Sequence, residues 1–116
     1  MKKPFILAVL AFAAGAVFAH AKLQHSTPAQ GATVSPAPAE LRLQYDETVE
    51  AAMSSVKVTG PGDVVVPTAK VAADKGDDKT LVLALPRLAP GAYRAEWATM
   101  GHDGHPIKGE IRFTVR

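Results

Sequence analysis

Gly91-Ala92-Tyr93-Arg94-Ala95-Glu96-Trp97 is the stretch whose reading decides the fold. Tyr93, Ala95 and Trp97 fall on alternate positions, with charged residues between them. Successive side chains of a strand point to opposite faces, so this period of two reads as a half-buried strand with Tyr93, Ala95 and Trp97 inward. The same signature recurs on both sides. Leu41-Arg42-Leu43-Gln44-Tyr45 and Ser55-Val56-Lys57-Val58-Thr59 alternate in this way. Thr80-Leu81-Val82-Leu83-Ala84-Leu85 sets Leu81, Leu83 and Leu85 on one face. Residues 107–116 place Ile111, Phe113 and Val115 inward, with Gly109 as a bulge or close-approach site.

The segments between these runs carry turn chemistry. Ala29-Gln30-Gly31-Ala32-Thr33-Val34-Ser35-Pro36-Ala37-Pro38 reads as a turn region, with Gly31 available for positive φ and the prolines blocking helix. Gly60-Pro61-Gly62-Asp63 ends one strand, and Val64-Val65-Val66 is a short β-branched run stopped by Pro67. Residues 70–73 read as a further short strand, and Asp74-Lys75-Gly76-Asp77-Asp78-Lys79 as a solvated charged loop. That loop lacks the ligand spacing and closing Glu of an EF-hand. No convincing 3.6-residue apolar period occurs beyond the first nineteen residues. Several short strands with turns between them predict an all-β sandwich.

The chain opens Met1-Lys2-Lys3, then runs apolar over residues 4–19 to Val17-Phe18-Ala19. Basic residues, a short apolar core and a small-residue ending are the parts of a secretory signal peptide. The run is short of the roughly 20 residues a spanning helix needs. We therefore expect residues 1–19 to be cleaved, leaving residues 20–116 as one domain that does not itself span a membrane and begins at His20. The net charge of +2 includes Lys2 and Lys3, so the exported chain is close to neutral. With no basic stripe and few aromatic residues, nucleic-acid binding has little support. Cysteine is absent, which excludes disulfides and thiolate metal sites. A small single domain also favours binding or delivery over an enzyme with a deep pocket.

Met100-Gly101-His102-Asp103-Gly104-His105-Pro106 gathers two of the four histidines around one carboxylate. Asp103 and His105 stand at i and i+2, which in an extended segment project to one side, and Gly104 lets the backbone bend there. An amino-terminal His20 presents its α-amine and imidazole Nδ1 to one ion, closing a six-membered chelate ring. Free amine and neutral imidazole suit tetragonal Cu(II) or Ni(II). Together the two regions supply three nitrogens and one oxygen, a four-coordinate plane. His102 is expected to face the opposite side, His25 to lie on the surface, and Met100 to fill a gap in the core or loop.

Residues 20–116 resemble the CopC/PcoC family of periplasmic copper-resistance proteins from end to end. The likeness is carried by His20-Ala21-Lys22-Leu23, Ser26-Thr27-Pro28-Ala29-Gln30-Gly31, and Ala37-Pro38 with Leu41-Arg42-Leu43-Gln44-Tyr45-Asp46-Glu47. It continues through Pro90-Gly91-Ala92-Tyr93-Arg94-Ala95-Glu96-Trp97, Asp103-Gly104-His105-Pro106-Ile107-Lys108-Gly109 and Phe113-Thr114-Val115. The resemblance implies a Greek-key, immunoglobulin-like or cupredoxin-like β-sandwich or barrel. It implies one Cu(II) per chain held by His20, Asp103 and His105, with Glu47 near the site. It also implies a periplasmic location and a CopD-like inner-membrane copper protein as partner. Some members carry a methionine-rich Cu(I) loop; beyond the signal this chain has only Met53 and Met100, which points to the Cu(II)-only type. The expected function is therefore sequestration or delivery of Cu(II), without catalysis. The alternatives are an oxidative copper enzyme built on the same amino-terminal chelate and a metal-free immunoglobulin-like interaction module.

Overall fold

A computed structural model describes residues 21–116; the expected signal peptide and His20 lie outside the described residues. Nine strands follow in chain order: β1 (Leu23–Thr27), β2 (Ala32–Val34), β3 (Glu40–Tyr45), β4 (Ser55–Thr59), β5 (Val65–Val66), β6 (Ala72–Asp74), β7 (Asp77–Ala84), β8 (Gly91–Met100) and β9 (Pro106–Val115). They form two sheets, ordered β1-β3-β7-β6 and β2-β9-β8-β4-β5. Among the described residues only β2 and β9 pair in parallel. Tight hairpins join β4 to β5, β6 to β7 and β8 to β9 within a sheet. The other connections cross from one sheet to the other. Among the described residues no helix is long and apolar enough to cross a membrane.

The expected β-sandwich is the observed architecture, but the barrel form of that expectation is wrong. The strands at the sheet edges pair with no strand of the opposite sheet. Three of those edges, β2, β5 and β6, are only two or three residues long, too short to continue a ladder around a closed surface.

Alternation accounts for the core. Leu41, Leu43 and Tyr45 of β3 and Leu81 and Leu83 of β7 are each 1% exposed. They face Val58, Ala95, Trp97, Ile111, Phe113 and Val115 of the second sheet, all buried. Each such large apolar side chain contributes about 1.5–3 kcal/mol on burial. Tyr45 and Trp97 meet edge-to-face across the sandwich with ring centres 5.2 Å apart. Tyr93 stacks on Phe113, and its hydroxyl donates to the Ala89 carbonyl at 2.6 Å. This is a tyrosine corner, the device that fixes a crossover in Greek-key sandwiches. Gly109 is a close-approach site rather than a bulge, because its register with Trp97 is continuous. A Cβ there would sit 2.6 Å from Trp97 Cζ2.

Three local expectations need correction. The turn region at residues 29–38 contains β2, held by Gly31 N–H to the Arg112 carbonyl and Arg116 N–H to the Val34 carbonyl; Gly31 does take positive φ, at 78°. The short strand expected over residues 70–73 begins at Ala72 instead. The charged loop at residues 74–79 is mostly strand: Asp74 ends β6, Asp77 starts β7, and the two face each other across a Lys75-Gly76 turn. Polar composition misled there because this hairpin lies at a sheet edge, where its carboxylates work locally. Asp77 accepts from Lys79 N–H and the Thr80 hydroxyl. Asp74 accepts from Arg42 Nη2 at 2.9 Å, and that guanidinium holds the Asp74 carboxyl below the usual carboxylate range.

Candidate metal centre

Among the described residues the β8–β9 hairpin is the longest pairing, and it runs without interruption from Gly91–Val115 to Met100–Pro106. Residues 101–105 close it. Gly104 N–H donates to the Gly101 carbonyl at 2.9 Å and Gly101 N–H to the His105 carbonyl at 3.2 Å. Gly104 takes φ +84°, a left-handed conformation that suits glycine. A neighbouring segment braces the turn from the side. Val49 and Gly101 form an isolated bridge, and Glu50 N–H donates to the Met100 carbonyl.

Asp103 and His105 do fall together, for a different reason from the one expected. The segment is a turn and not an extended strand, so alternation plays no part. Asp103 Oδ1 accepts the His105 backbone N–H at 3.0 Å, and Oδ2 lies 3.0 Å from His105 Nδ1. An aspartate bonded to the backbone two residues on is an Asx-turn, and here the same carboxylate also orients the ring. With the proton on Nδ1, the imidazole donates to Asp103 and its lone pair sits on Nε2, one of the two ring nitrogens through which histidine binds metals. The two side chains are part-exposed, 31% for Asp103 and 54% for His105.

The other singled-out residues sort as follows. His102 is exposed in the same turn, and His25 is exposed on β1, the edge strand of its sheet. Met100 is half-buried in the last hairpin pair, while Met53 is 58% exposed in the 3-10 turn Ala51–Met53. Glu47 is half-buried two residues before the Val49 bridge. Among the described residues no three metal-binding side chains gather at one place. The turn alone therefore offers one carboxylate and one imidazole.

Sequence reasoning missed the latch that brings the start of the described chain to this turn. Lys22 N–H donates to Asp46 Oδ1 at 2.8 Å, and Asp46 N–H donates back to the Lys22 carbonyl at 3.0 Å. Ala21, next in line toward the amino terminus, is buried at 4% exposure. A Cβ built on Gly101 would lie 3.2 Å from Asp103 Oδ1, 3.5 Å from Ala21 Cβ and 3.7 Å from Ala21 N. The nitrogen that joins Ala21 to residue 20 and the Asp103 carboxylate thus border the same point. A side chain at Gly101 would crowd the Asp103 carboxylate and make ordinary contact with Ala21. Nothing in the local pattern around Asp46 signals this, since its partner is 24 residues away.

The CopC domain family model matches residues 23–116. Protein YobA of Escherichia coli K12 is 38% identical over 101 residues, covering 86% of this chain and 82% of that protein. Copper resistance protein C of Pseudomonas syringae pv. tomato is 38% identical over 120 residues, covering 93% of this chain and 94% of that protein. The crystal structure of PcoC, a methionine-rich copper resistance protein from Escherichia coli, superposes with a TM-score of 0.77 at 33% identity, over 84% of this chain and all of that one. An open sandwich with a tyrosine corner, together with a sequence match spanning both sheets, makes this chain a member of the CopC family.

Proposed function

We propose that this chain is a periplasmic copper-binding protein that, after removal of residues 1–19, holds one Cu(II) and sequesters it or passes it to a membrane partner. Copper is the cargo, and the protein is not an enzyme. The ligands are His20, through its amine and imidazole, together with Asp103 and His105. The observation that carries this reading is the position of Ala21 N beside the Asp103 turn: a residue peptide-bonded to that nitrogen has its own Cα only about 3.8 Å from the Ala21 Cα. The donor chemistry fits, because amine, imidazole and carboxylate suit Cu(II), whereas Cu(I) selects thioethers. The relatives named for copper resistance support the metal. Against a methionine-rich relative, the exposed Met53 and half-buried Met100 of this chain make no thioether cluster. A CopD-like inner-membrane copper protein is the proposed recipient.

Mass spectrometry of the exported protein should find a chain starting at His20. Electron paramagnetic resonance of that chain with one equivalent of Cu(II) should then show a tetragonal centre with three nitrogens and one oxygen. A different amino terminus removes two of the four donors and defeats the assignment. Turnover of a polysaccharide by the copper-loaded protein with a reductant would instead make it an oxidative enzyme.

A further inference from the structure

The end of the β8–β9 hairpin remote from its turn carries a second polar cluster. Thr59, Arg94 and Arg112 are direct neighbours in one row across β4, β8 and β9. Their chain neighbours Val58, Ala95 and Phe113 face the core, so alternation puts this row on the outer face of the five-stranded sheet. Thr59 is nevertheless only 4% exposed. The 3-10 turn Pro61–Asp63 follows directly on β4 and, with Ala92 and Thr114, completes a cleft of about 450 Å³ around the row.

Two polar atoms in this cleft are shielded from solvent and make no hydrogen bond: Thr59 Oγ1 and Arg94 Nε. Buried polar groups are nearly always paired, so two unpaired ones on adjacent residues lining one cleft call for an acceptor. The carboxylates near Arg94 do not supply it. Glu96 Oε2 lies 3.9 Å from Nε and Asp63 Oδ1 lies 4.0 Å from Nη1, both beyond hydrogen-bonding range. Asp63 is 87% exposed and holds φ +60°. Arg112 differs, because its Nε already donates to Glu110 at 2.7 Å. It contributes charge at the flank, with its Nε already engaged.

We propose that this cleft binds a small oxyanion, a carboxylate or phosphate group, through the Arg94 guanidinium and the Thr59 hydroxyl, with Arg112 as a flanking charge. The guanidinium is a planar fork that matches two oxygens of such a group, and the cleft volume is that of a small-molecule site. Arg94 and Gly101 are seven residues apart on an extended strand, roughly 23 Å, so this site and the metal centre are independent. Glu96 and Asp63, both within ion-pairing distance of the Arg94 guanidinium, are the competitors that an incoming anion must displace.

The test uses metal-free mature protein, with amide and arginine side-chain resonances followed as sodium phosphate or sodium acetate is added at constant ionic strength against sodium chloride. Saturable shifts are expected at Thr59, Gly60, Thr114 and Arg94 Nε–H, with half-saturation on the order of millimolar. Stronger binding of phosphate identifies a phosphate site, and equal or stronger binding of acetate a carboxylate site. Arg94→Gln should weaken the response at least about fivefold. Asp63→Asn, which keeps a residue tolerant of positive φ, should strengthen it about twofold or more by removing one competing charge. Thr59→Val keeps the shape and loses the hydroxyl, and should weaken binding even if Arg94→Gln does not fold. Shifts no larger than those with chloride overturn the proposal. So does a response unchanged in both Arg94→Gln and Thr59→Val.

Discussion

The shaft and the tip of the β8–β9 hairpin, two strands and the turn that joins them, obey different rules. Along the shaft, Tyr93, Ala95, Trp97, Ile111, Phe113 and Val115 are all buried at 7% exposure or less, and their identities are set by packing. At the tip, residues 102–105 are exposed, and their identities are set by what the turn can hold. The shaft makes the tip rigid. Ten consecutive cross-strand pairs end at Met100–Pro106, so Asp103 and His105 are placed by the most continuous ladder among the described residues. The proposed ligand pair sits on a short loop braced by a bridge to Val49, which holds its geometry without burying its polar atoms.

Substitutions should separate the two regions cleanly. The largest effect is expected for Trp97→Ala, which removes the ring that crosses the sandwich to Tyr45 and covers Gly109. It should lower unfolding free energy by about 3–5 kcal/mol in denaturant titrations of the metal-free protein. His105→Ala should do the reverse: copper affinity falls more than about 100-fold in a competition titration, while metal-free stability changes by less than about 0.5 kcal/mol. A large stability loss in that variant would mean the tip is part of the core, and the contrast would collapse.

Smaller effects sharpen the division within the shaft. Tyr93→Phe loses the tyrosine-corner bond to Ala89 and should destabilise by about 1 kcal/mol, with copper affinity unchanged. Tyr45 is buried with no hydrogen-bond partner for its hydroxyl, and burial raises its pKa well above the usual phenol value. Unfolded Tyr45 therefore ionises at lower pH than folded Tyr45. Its contribution to stability is complete below about pH 10 and is lost as pH rises beyond that value. Alkaline unfolding curves should show a loss that Tyr45→Phe abolishes. If the variant tracks the parent above pH 10, the hydroxyl is not titrating in the unfolding reaction.

The predictable parts of this molecule are those where one strand carries its own evidence. Alternation marked β3, β8 and the inward residues of β9, because each presents several large apolar side chains to one face and the opposite sheet buries them all. β2 and β5 could not be marked with the same force. They are two or three residues long and exist because β9 and β4 offer them hydrogen bonds. The 74–79 segment misled for a related reason: its charges solvate an edge hairpin rather than a loop. At the site, Asp103-Gly104-His105 was legible as a candidate ligand pair because two donors flank a bend. The turn that joins them, with its carboxylate bonded to the His105 backbone and ring, was not.

By itself, then, the sequence determined the sandwich class, the inward rows and Asp103 and His105 as candidate ligands, all read from patterns local along the chain. Tertiary structure decided the rest: that the sheets stay open instead of closing, that Lys22 latches onto Asp46, and that Ala21 lies against Gly101. It also stacked Thr59, Arg94 and Arg112 in one row. These are contacts between segments as much as 80 residues apart, fixed by strand register and sheet order. No local pattern of polar and apolar residues encodes a register between distant strands. It emerges only when the buried faces of both sheets are satisfied together.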